Sequence, residues 1–245
     1  MTAGGTVLEA GGVRKRFGAL VVLDGVDFAV GADEGVGIVG PNGAGKTTLL
    51  NVLAGTYRPD GGRILFRGDD VTARSAARRS RLGIGRAHQV PRPFGGMTVF
   101  ENLLVGAGAG GGRRGRDSYR HAIEALELCA LGDLANRRAE SLGLLHRKRL
   151  ELARALATGP EVLLLDEIGG GLTDAEAAEL VETVAELRRR GIAIVWIEHI
   201  VHVLVRAVER LVCMDGGRVI ADGDPAEVMR DTAVVDAYLG SAAVP

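Results

Sequence analysis

The feature that most constrains the fold is a glycine-rich loop between an apolar strand and a helical pattern. Val36–Val39 is a short apolar segment that leads directly into a G-x-x-x-x-G-K-T pattern ending at Thr47. Beyond the loop, apolar residues recur at helical spacing from Leu49 and stop at Gly55. Such a loop turns its backbone N–H groups towards phosphate oxygens, with the positive end of the helix dipole behind them. The sequence therefore predicts a phosphate-binding loop over Gly40–Thr48.

The side chains of this loop have separate expected roles. Lys46 adds a full positive charge near the phosphates, and Thr47 supplies a hydroxyl for Mg²⁺. A chance glycine-rich turn is the alternative, but it does not account for the strand and the helix in their required places. The predicted nucleotide-binding residues of the loop are Gly40, Pro41, Asn42, Gly43, Ala44, Gly45, Lys46, Thr47 and Thr48.

Strand and helix patterns alternate along the chain. Apolar segments without strict alternation predict buried strands at Glu161–Leu165 and Ile192–Ile197, and a helical pattern covers Asp174–Arg190. A hairpin is predicted about Asp215–Gly217, and a helix from about residue 200 to residue 208. Strands of this kind, interleaved with helices, are typical of an α/β domain whose parallel sheet is covered on both faces.

The composition excludes several other classes of protein. Of the 245 residues, 47% are hydrophobic and 25% charged, which fits a globular core and not a disordered chain. A net charge of −1 and 4% aromatic residues give no reason to expect nucleic acid as a partner. No apolar run approaches the ~20 residues of a membrane span, so another chain would supply any span. The isolated Cys129 and Cys213 fit a reduced cytosolic compartment.

A pair of carboxylates follows the first of the two buried strands. Asp166 and Glu167 come directly after Leu163–Leu165, at the carboxyl edge of the predicted sheet, where ligands of α/β proteins bind. There Asp166 can hold a metal ion, and Glu167 can orient or deprotonate an attacking water. A solvated acidic turn is the alternative for this segment taken alone. Together with the phosphate loop, the pair predicts phosphoryl transfer to water.

Two further polar residues follow strands. His199 closes the segment Ile194–Glu198, so its imidazole reaches the same sheet edge and can contact a γ-phosphate. A packed or surface histidine is the alternative. Gln89 lies just after the predicted strand Leu82–Arg86, and its side chain can touch Mg²⁺ or the nucleophilic water. The predicted metal ligands are Thr47, Gln89 and Asp166.

The order and spacing of these motifs resemble those of ATP-binding subunits of ABC transporters, over nearly the whole chain. The residues that carry the resemblance are the phosphate loop, Gln89, Asp166-Glu167, Gly171-Leu172-Thr173-Asp174 and His199. Within that family, further segments resemble the branched-chain amino acid uptake subfamily: Arg86–Gln89, Met97–Leu103, Asp222–Pro225, Glu227-Val228 and Ala237–Gly240.

The resemblance implies a fold and a set of partners. The expected fold is a P-loop ATPase core with an antiparallel β subdomain and an inserted helical subdomain. Residues 1–89 and 157–245 would form the nucleotide-binding core, and residues 90–156 the helical subdomain. ATP and Mg²⁺ are the implied cofactors. The implied partners are a second ATP-binding subunit (homodimer or heterodimer), two transmembrane permease subunits and an extracytoplasmic solute-binding protein, which would place the chain at the cytoplasmic face of the membrane.

The resemblance also implies contacts outside the phosphate loop. Phe17 matches the adenine-stacking aromatic residue of the first hairpin, with a half-buried strand residue as the alternative. Gly171–Asp174 would communicate between two nucleotide sites across a dimer interface. Counted from Asp166, the bridging aspartate of the family falls on Thr173, and Asp174 follows one place later, so both stay candidates.

One segment departs from the family pattern. The loop Leu-Ser-Gly-Gly-Gln should precede the helix that contains Arg154, and in ungapped alignment this chain has Leu142–His146 there. Gly143 then replaces the serine. Alternatively, Ser141 and Gly143 keep a Ser-x-Gly pattern two residues early. In either alignment, the resemblance implies a weakened composite site, the nucleotide site at which this loop closes over ATP bound by the partner subunit. The change also raises the alternative of a nucleotide-binding subunit with little hydrolysis of its own. A non-transport ABC ATPase is a further alternative.

Two basic clusters have no place in this scheme. Arg78–Arg81 and Arg113–Arg116 are predicted to be solvated faces, with contact to phospholipid head groups as the alternative. The second cluster overlaps the end of Gly106–Gly115, a glycine-rich stretch that is predicted to be a flexible surface loop.

Overall fold

The computed structural model describes residues 5–199 and 204–241, and its centre is a six-stranded sheet. In spatial order the strands are β10 (Arg218–Gly223), β9 (Arg210–Asp215), β3 (Gly35–Val39), β8 (Ala193–Ile197), β7 (Val162–Asp166) and β6 (Ile84–Ala87). The strands β9, β3, β8, β7 and β6 are parallel, and β10 pairs with β9 as the predicted antiparallel hairpin. Because the strands are parallel, the segments that follow β3, β6, β7 and β8 meet at one edge of the sheet.

A four-stranded antiparallel sheet lies beside this core, as the expected fold requires. Its order is β2 (Leu20–Gly31), β1 (Thr6–Phe17), β4 (Gly61–Phe66) and β5 (Asp69–Asp70). The sequence predicts strands at Val7–Ala10 and Val26–Val30 joined by a connection that includes Arg14–Gly18. This is wrong for Arg14–Phe17, since β1 continues to Phe17 and pairs there with Leu20. Pairing with β2 extends β1 beyond its apolar residues, whereas β4 pairs with it only as far as Arg14. A register shift between Ala10 and Val13 accommodates the glycines there.

Helices cover the six-stranded sheet. They are α1 (Lys46–Ala54), α2 (Ala76–Leu82), α3 (Val99–Val105), α4 (Arg116–Leu128), α5 (Leu144–Ala157), α6 (Asp174–Arg189) and two C-terminal helices, Pro225–Val228 and Thr232–Ser241. Thr98 followed three residues later by Glu101 predicts a capping box, and the structure has this box at the start of α3. The helix predicted from residue 200 lies in part outside the described residues. Within residues 5–199 and 204–241, no helix is long and apolar enough to cross a bilayer.

The hydrophobic core divides between the two faces of the six-stranded sheet. In β7, Leu163 and Leu165 join the cluster formed with α3 to α6, whereas Val162 and Leu164 join the cluster formed with α1 and the antiparallel sheet. Successive strand residues point to opposite faces, so a strand that is buried on both faces carries an unbroken apolar run. This explains why the strands lacked alternation, and it confirms the predicted α/β architecture.

The glycine-rich stretch after α3 is not the flexible loop predicted from its composition. Gly106–Gly110 forms a π-helical turn that packs against the end of α5. A Cβ on Gly106 would lie 2.7 Å from the carbonyl oxygen of Arg154, and one on Gly111 would lie 2.7 Å from that of Thr158. The glycines therefore permit close backbone approach. Composition alone does not distinguish this use of glycine from chain flexibility.

Arg79 belongs to α2, and its side chain is fully buried, although the sequence places it in a basic cluster predicted to be solvated. Its guanidinium donates to the carbonyl oxygens of Val52 and Leu53, each at 2.7 Å, and to that of Thr72 at 3.1 Å. Burial lowers the pKa of Arg79 to about 10. The side chain thus supplies donors to carbonyls in the last turn of α1, the helix that begins in the phosphate loop.

We expect Arg79→Met to lower the free energy of unfolding by about 3 kcal/mol, because three buried carbonyls lose a charged donor. The measurement is denaturant unfolding. The matched control is Arg78→Met, since Arg78 is the exposed neighbour, and it should change stability by no more than about 0.5 kcal/mol. Equal effects of the two substitutions would contradict the assignment.

Candidate functional site

A cavity of about 200 Å³ opens at the carboxyl edge of the parallel sheet. It lies between the loop after β3, the residue after β7 and the second residue after β8, which the parallel pairing brings together. Its lining consists of Val22, Asn42, Gly43, Ala44, Gly45, Lys46, Thr47, Thr48, Glu167 and His199. The phosphate loop, the second carboxylate and the histidine predicted from the sequence are therefore neighbours.

Two glycines of the loop have backbone conformations that exclude a side chain. Gly40 has φ +140°, and a Cβ there would lie 2.0 Å from the carbonyl oxygen of Met214. Gly45 has φ +99°, and a Cβ would lie 2.7 Å from the carbonyl oxygen of Val22. Both positions combine the left-handed region with close backbone approach. The loop can therefore curl against β2 and β9 only with glycine at these two places.

Lys46 is buried at the floor of the loop, 6% exposed. Its Nζ donates to the carbonyl oxygens of Gly40 at 2.6 Å and Pro41 at 2.9 Å. Burial lowers the pKa of the ammonium group, and the negative charges of Glu167 and Asp166 oppose that effect. The lysine is thus held inside the loop whose amides line the cavity.

Asp166 ends β7 and is 4% exposed. Its Oδ1 lies 3.4 Å from the Thr47 hydroxyl, and its Oδ2 accepts a hydrogen bond of 2.9 Å from Arg86. A hydroxyl and a carboxylate oxygen are hard donors of the kind that Mg²⁺ takes together with phosphate oxygens and waters. The pair Thr47 and Asp166 therefore fits Mg²⁺ by donor chemistry.

Sequence reasoning gave Arg86 no role, although the side chain connects two elements of the site. Besides Asp166, it donates to Asn51 Oδ1 of α1 at 2.6 Å. The arginine belongs to β6, whose other residues are apolar or glycine. A charged residue within a short strand next to the sheet edge was the available signal, since such a charge needs a partner. Arg86 fixes the orientation of the Asp166 carboxylate.

Glu167 is the residue on which the predicted catalytic side chains converge. Its Oε1 lies 2.7 Å from His199 Nε2, and its Oε2 accepts a hydrogen bond from Gln89 Nε2. The residue has φ +46°, a conformation that non-glycine residues rarely adopt, and its N–H donates to the carbonyl oxygen of Ile197 at 2.9 Å. The structure therefore brings Gln89, Glu167 and His199 into direct contact.

Two buried charged residues that sequence reasoning missed hold the segment after Glu167. Lys148 of α5 is 4% exposed, and its Nζ donates to the Glu167 carbonyl oxygen at 3.4 Å. Glu198 is 2% exposed, and its Oε1 accepts a hydrogen bond of 2.6 Å from the Gly169 N–H. Burial lowers the pKa of Lys148 and raises that of Glu198. A helix outside the parallel sheet thus contacts the backbone of Glu167.

The remaining predicted residues lie away from the cavity. Phe17 is exposed at the end of β1, with its ring edge against Tyr57, and it stays a prediction as the adenine contact. Ser141 donates to the Arg138 carbonyl oxygen at 2.8 Å, and Gly143 is the N-cap of α5 without a side-chain cap.

The two candidates for the bridging aspartate differ in their contacts. Thr173 is engaged within the chain, because its hydroxyl caps α6 in a capping box with Glu176. Asp174 is exposed in the first turn of α6 and makes no side-chain hydrogen bond or ion pair with any described residue. Of the two, Asp174 has its side chain available for contact outside the chain.

The six-stranded sheet, the phosphate loop after β3 and the acidic pair after β7 define the class of P-loop nucleotide-binding proteins. A sequence profile of the ABC transporter family matches residues 23–169, and a second profile, described as branched-chain amino acid ATP-binding cassette transporter, matches residues 218–244. The chain therefore belongs to the ABC transporter family, as its ATP-binding subunit, and the expected fold and family are confirmed.

Similar proteins cover nearly the whole chain. The high-affinity branched-chain amino acid transport ATP-binding protein LivG of Escherichia coli K12 is 38% identical, over 96% of this chain and 98% of LivG. BraF of Pseudomonas aeruginosa, of the same description, is 35% identical over the same shares. A nucleotide-free ATP-binding cassette of an ABC transporter is 32% identical and matches with a TM-score of 0.88, covering 96% of this chain and 99% of that one. A cassette in its ADP conformation matches with a TM-score of 0.89, at the same identity and coverage.

We expect Lys148→Met to raise the hydrogen-exchange rates of the Gly169 and Gly170 amides about fivefold, because one hydrogen bond of about 1 kcal/mol that holds the Glu167 carbonyl is lost. Exchange measured by mass spectrometry or NMR checks this. Lys148→Arg retains a cationic donor and should keep the rates near those of the parent chain. If the methionine variant exchanges at the parent rate, Lys148 does not hold this segment.

Proposed function

We propose that this chain is the ATP-hydrolysing subunit of an ABC importer for branched-chain amino acids or a related small polar solute. The observation that carries the proposal is the position of Glu167, which lies against the phosphate loop cavity with Gln89 and His199 bound to its carboxylate. The names of the LivG and BraF relatives support the class of solute. Solute choice itself belongs to other subunits, because nothing in this cavity is built for an amino acid.

The phosphate loop would hold the β- and γ-phosphates of ATP. Residues Gly43–Thr48 line the cavity, and the N-terminal end of α1 adds a partial positive charge. Lys46 would exchange its contacts with two loop carbonyls for phosphate oxygens, which suits an ammonium group already desolvated. Phe17, one strand away, would stack on the adenine ring.

Thr47, Asp166 and Gln89 would hold Mg²⁺, with Arg86 fixing the Asp166 carboxylate. When bound, the ion neutralises negative charge that develops on the phosphate oxygens. The residues of the chain supply positioning and charge, because phosphoryl transfer needs no covalent intermediate on the protein.

Glu167 would orient the attacking water and accept its proton. Gln89 and His199 keep its carboxylate aimed into the cavity in the absence of nucleotide. On binding, His199 would transfer its Nε2 contact to the γ-phosphate, which frees one carboxylate oxygen for the water. The contact of Lys148 with the Glu167 backbone would carry a movement of α5 directly to this residue.

Glu167→Gln should retain ATP binding while turnover falls at least about 100-fold, because the amide cannot accept the proton. Nucleotide binding is measured by calorimetry, and turnover by phosphate release from the reconstituted transporter. The matched control is Glu182→Gln at an exposed position of α6, which should change neither quantity. Turnover that survives in the Glu167 variant would remove this residue from the role of base.

A second ATP-binding subunit would complete the site. The segment Ser141–Gly143 before α5 lies outside the cavity of its own chain, which suits a contact with ATP bound by the partner. Asp174 is exposed and has no side-chain hydrogen bond or ion pair within residues 5–199 and 204–241, so it is better placed than Thr173 to reach across. The partner would be a second copy of this chain or a different ATP-binding chain.

Two permease subunits and an extracytoplasmic solute-binding protein would complete the importer, with this chain peripheral at the cytoplasmic face of the membrane. Residues 1–89 and 157–245 would be the nucleotide-binding core and residues 90–156 the helical subdomain, whose helices α3, α4 and α5 contact one another. A groove of about 380 Å³ separates α2 from this subdomain, and Arg86 and His88 line it next to Gln89. A permease segment in this groove would contact the loop that positions Gln89.

The N-terminal end of α5 is the part of the composite site that departs from the family pattern. It favours a second candidate function, that of a nucleotide-binding subunit with a low rate of ATP hydrolysis of its own. Gly143 caps this helix without a hydroxyl, and the first helical residue is the exposed Leu144. Backbone N–H groups and the helix dipole remain to attract the γ-phosphate of the partner's ATP. We infer that the nucleotide site closed by this loop turns over more slowly than one closed by an intact loop.

Gly143→Ser should raise single-turnover hydrolysis at the site that this loop closes. Gly143 has φ −69°, and a Cβ there meets no atom within 4 Å, so serine fits without strain. Single-turnover rates are compared in the assembled pair, with the Glu167 position of each subunit disabled in turn. Gly143→Ala, without the hydroxyl, is the control and should give no gain. Where the partner subunit has an intact loop, equal rates at the two sites of the parent pair would contradict the inference.

A further inference from the structure

We propose that the two basic clusters form one surface that binds the head groups of acidic phospholipids. This arginine surface consists of Arg78, Arg81, Arg114 and Arg116. The inference rests on the proposed function, since it places the surface beside the permease groove. It adds a direct contact between this chain and the bilayer, which the ATPase role does not require.

The fold joins clusters that are separated by more than 30 positions in the chain. The Ser80 hydroxyl of α2 donates to the Gly110 carbonyl oxygen at 3.2 Å, which fixes the helix against the π-helical turn. A Cβ built on Gly112 would lie 3.7 Å from Arg81 Cδ, so the arginine side chain lies over the stretch that leads to Arg114. Arg78 and Arg81 are three residues apart and therefore neighbours on the surface of α2.

The four arginines of this surface have their charges available. All four are exposed, and none makes a side-chain hydrogen bond or ion pair with any residue among 5–199 and 204–241. The nearby acidic residue Asp117 is already bound by Arg113 at 3.4 Å and by Arg120. Arg79 is not part of the surface, because its side chain is buried and its guanidinium donates to backbone carbonyl oxygens in the interior.

Apolar side chains adjoin the arginine surface on α4. Tyr119 is 54% exposed and Ile123 is 44% exposed, and both line a shallow depression together with Arg116. Arginine beside an exposed tyrosine and an exposed aliphatic residue is the combination that suits the interface between head groups and acyl chains. A solvated face selected only for solubility has no need of the two apolar residues.

The position of the arginine surface indicates that its binding partner is a membrane. Ala77, Ser80, Gly110 and Thr158 line the proposed permease groove. Arg78 and Arg81 extend from the same helix, and Arg114 and Arg116 from the segment that follows the same turn. A permease segment seated in the groove therefore brings them towards the bilayer. The four charges lie on α2, on the connection before α4 and at the first residue of α4. Charges spread in this way match an extended anionic surface better than a single bound phosphate.

The test is co-sedimentation of the full chain with vesicles of phosphatidylcholine, with and without phosphatidylglycerol. We expect binding that needs phosphatidylglycerol and weakens with salt. Each arginine near an acidic bilayer strengthens partition about fivefold, so replacing all four by glutamine should weaken it at least about 100-fold. A control variant removes the same charge from exposed arginines elsewhere, Arg63, Arg137, Arg189 and Arg230, and should bind vesicles nearly as well as the parent chain.

Three outcomes would overturn the proposal: vesicle binding that does not depend on phosphatidylglycerol, equal loss of binding in the two variants, or full vesicle binding by the quadruple variant. In the last case, loss of permease assembly by the quadruple variant in detergent free of acidic lipid would assign the arginines to an acidic protein surface. Nucleotide binding by the quadruple variant is measured in parallel and should be unchanged. A failure of nucleotide binding in the parent chain would instead count against the proposed function.

Discussion

Parallel pairing of β3, β8 and β7 is the interaction on which the rest of the structure depends. Each strand ends at the same edge of the sheet, and the pairs Gly37–Trp196 and Asp166–Ile197 fix how far each one reaches. A shift by one residue would move Asp166 away from Thr47 and would exchange the residues buried on the two faces of the sheet. The site is therefore a consequence of strand register, which the two halves of the hydrophobic core maintain.

The charged groups of the site depend on their partners, because Lys46 and Asp166 are buried and Glu167 is half-buried. Lys46 is held by loop carbonyls, Asp166 by Arg86, and Glu167 by Gln89 and His199. Each partner offsets the cost of desolvating the other, so removal of one leaves a buried charge without compensation. This arrangement keeps the carboxylates oriented before nucleotide binds, and preorganisation of this kind is what phosphoryl transfer requires of a protein.

Much of the fold was predictable because its signals are local. The loop after Val36–Val39, the capping box at Thr98 and the hairpin about Gly216 depend on a few consecutive residues, and the structure has them where the sequence predicts them. The errors fall where contacts between elements decide. The continuation of β1 to Phe17 depends on its pairing with β2, and the compact turn at Gly106–Gly110 needs the end of α5 beside it.

By itself, the sequence determined the phosphate loop, the acidic pair, the histidine and their order along an α/β chain, because strand, turn and helix signals act over short distances. Only the tertiary structure decided which charges are buried together and which remain on the surface. Arg79 and Arg78 are adjacent in the chain, yet the side chain of Arg79 is buried and that of Arg78 is exposed. Likewise Arg86, Lys148 and Glu198 acquire their partners from other elements. The physical reason is that burial and charge pairing depend on contacts between distant segments, and single-sequence patterns do not specify those contacts.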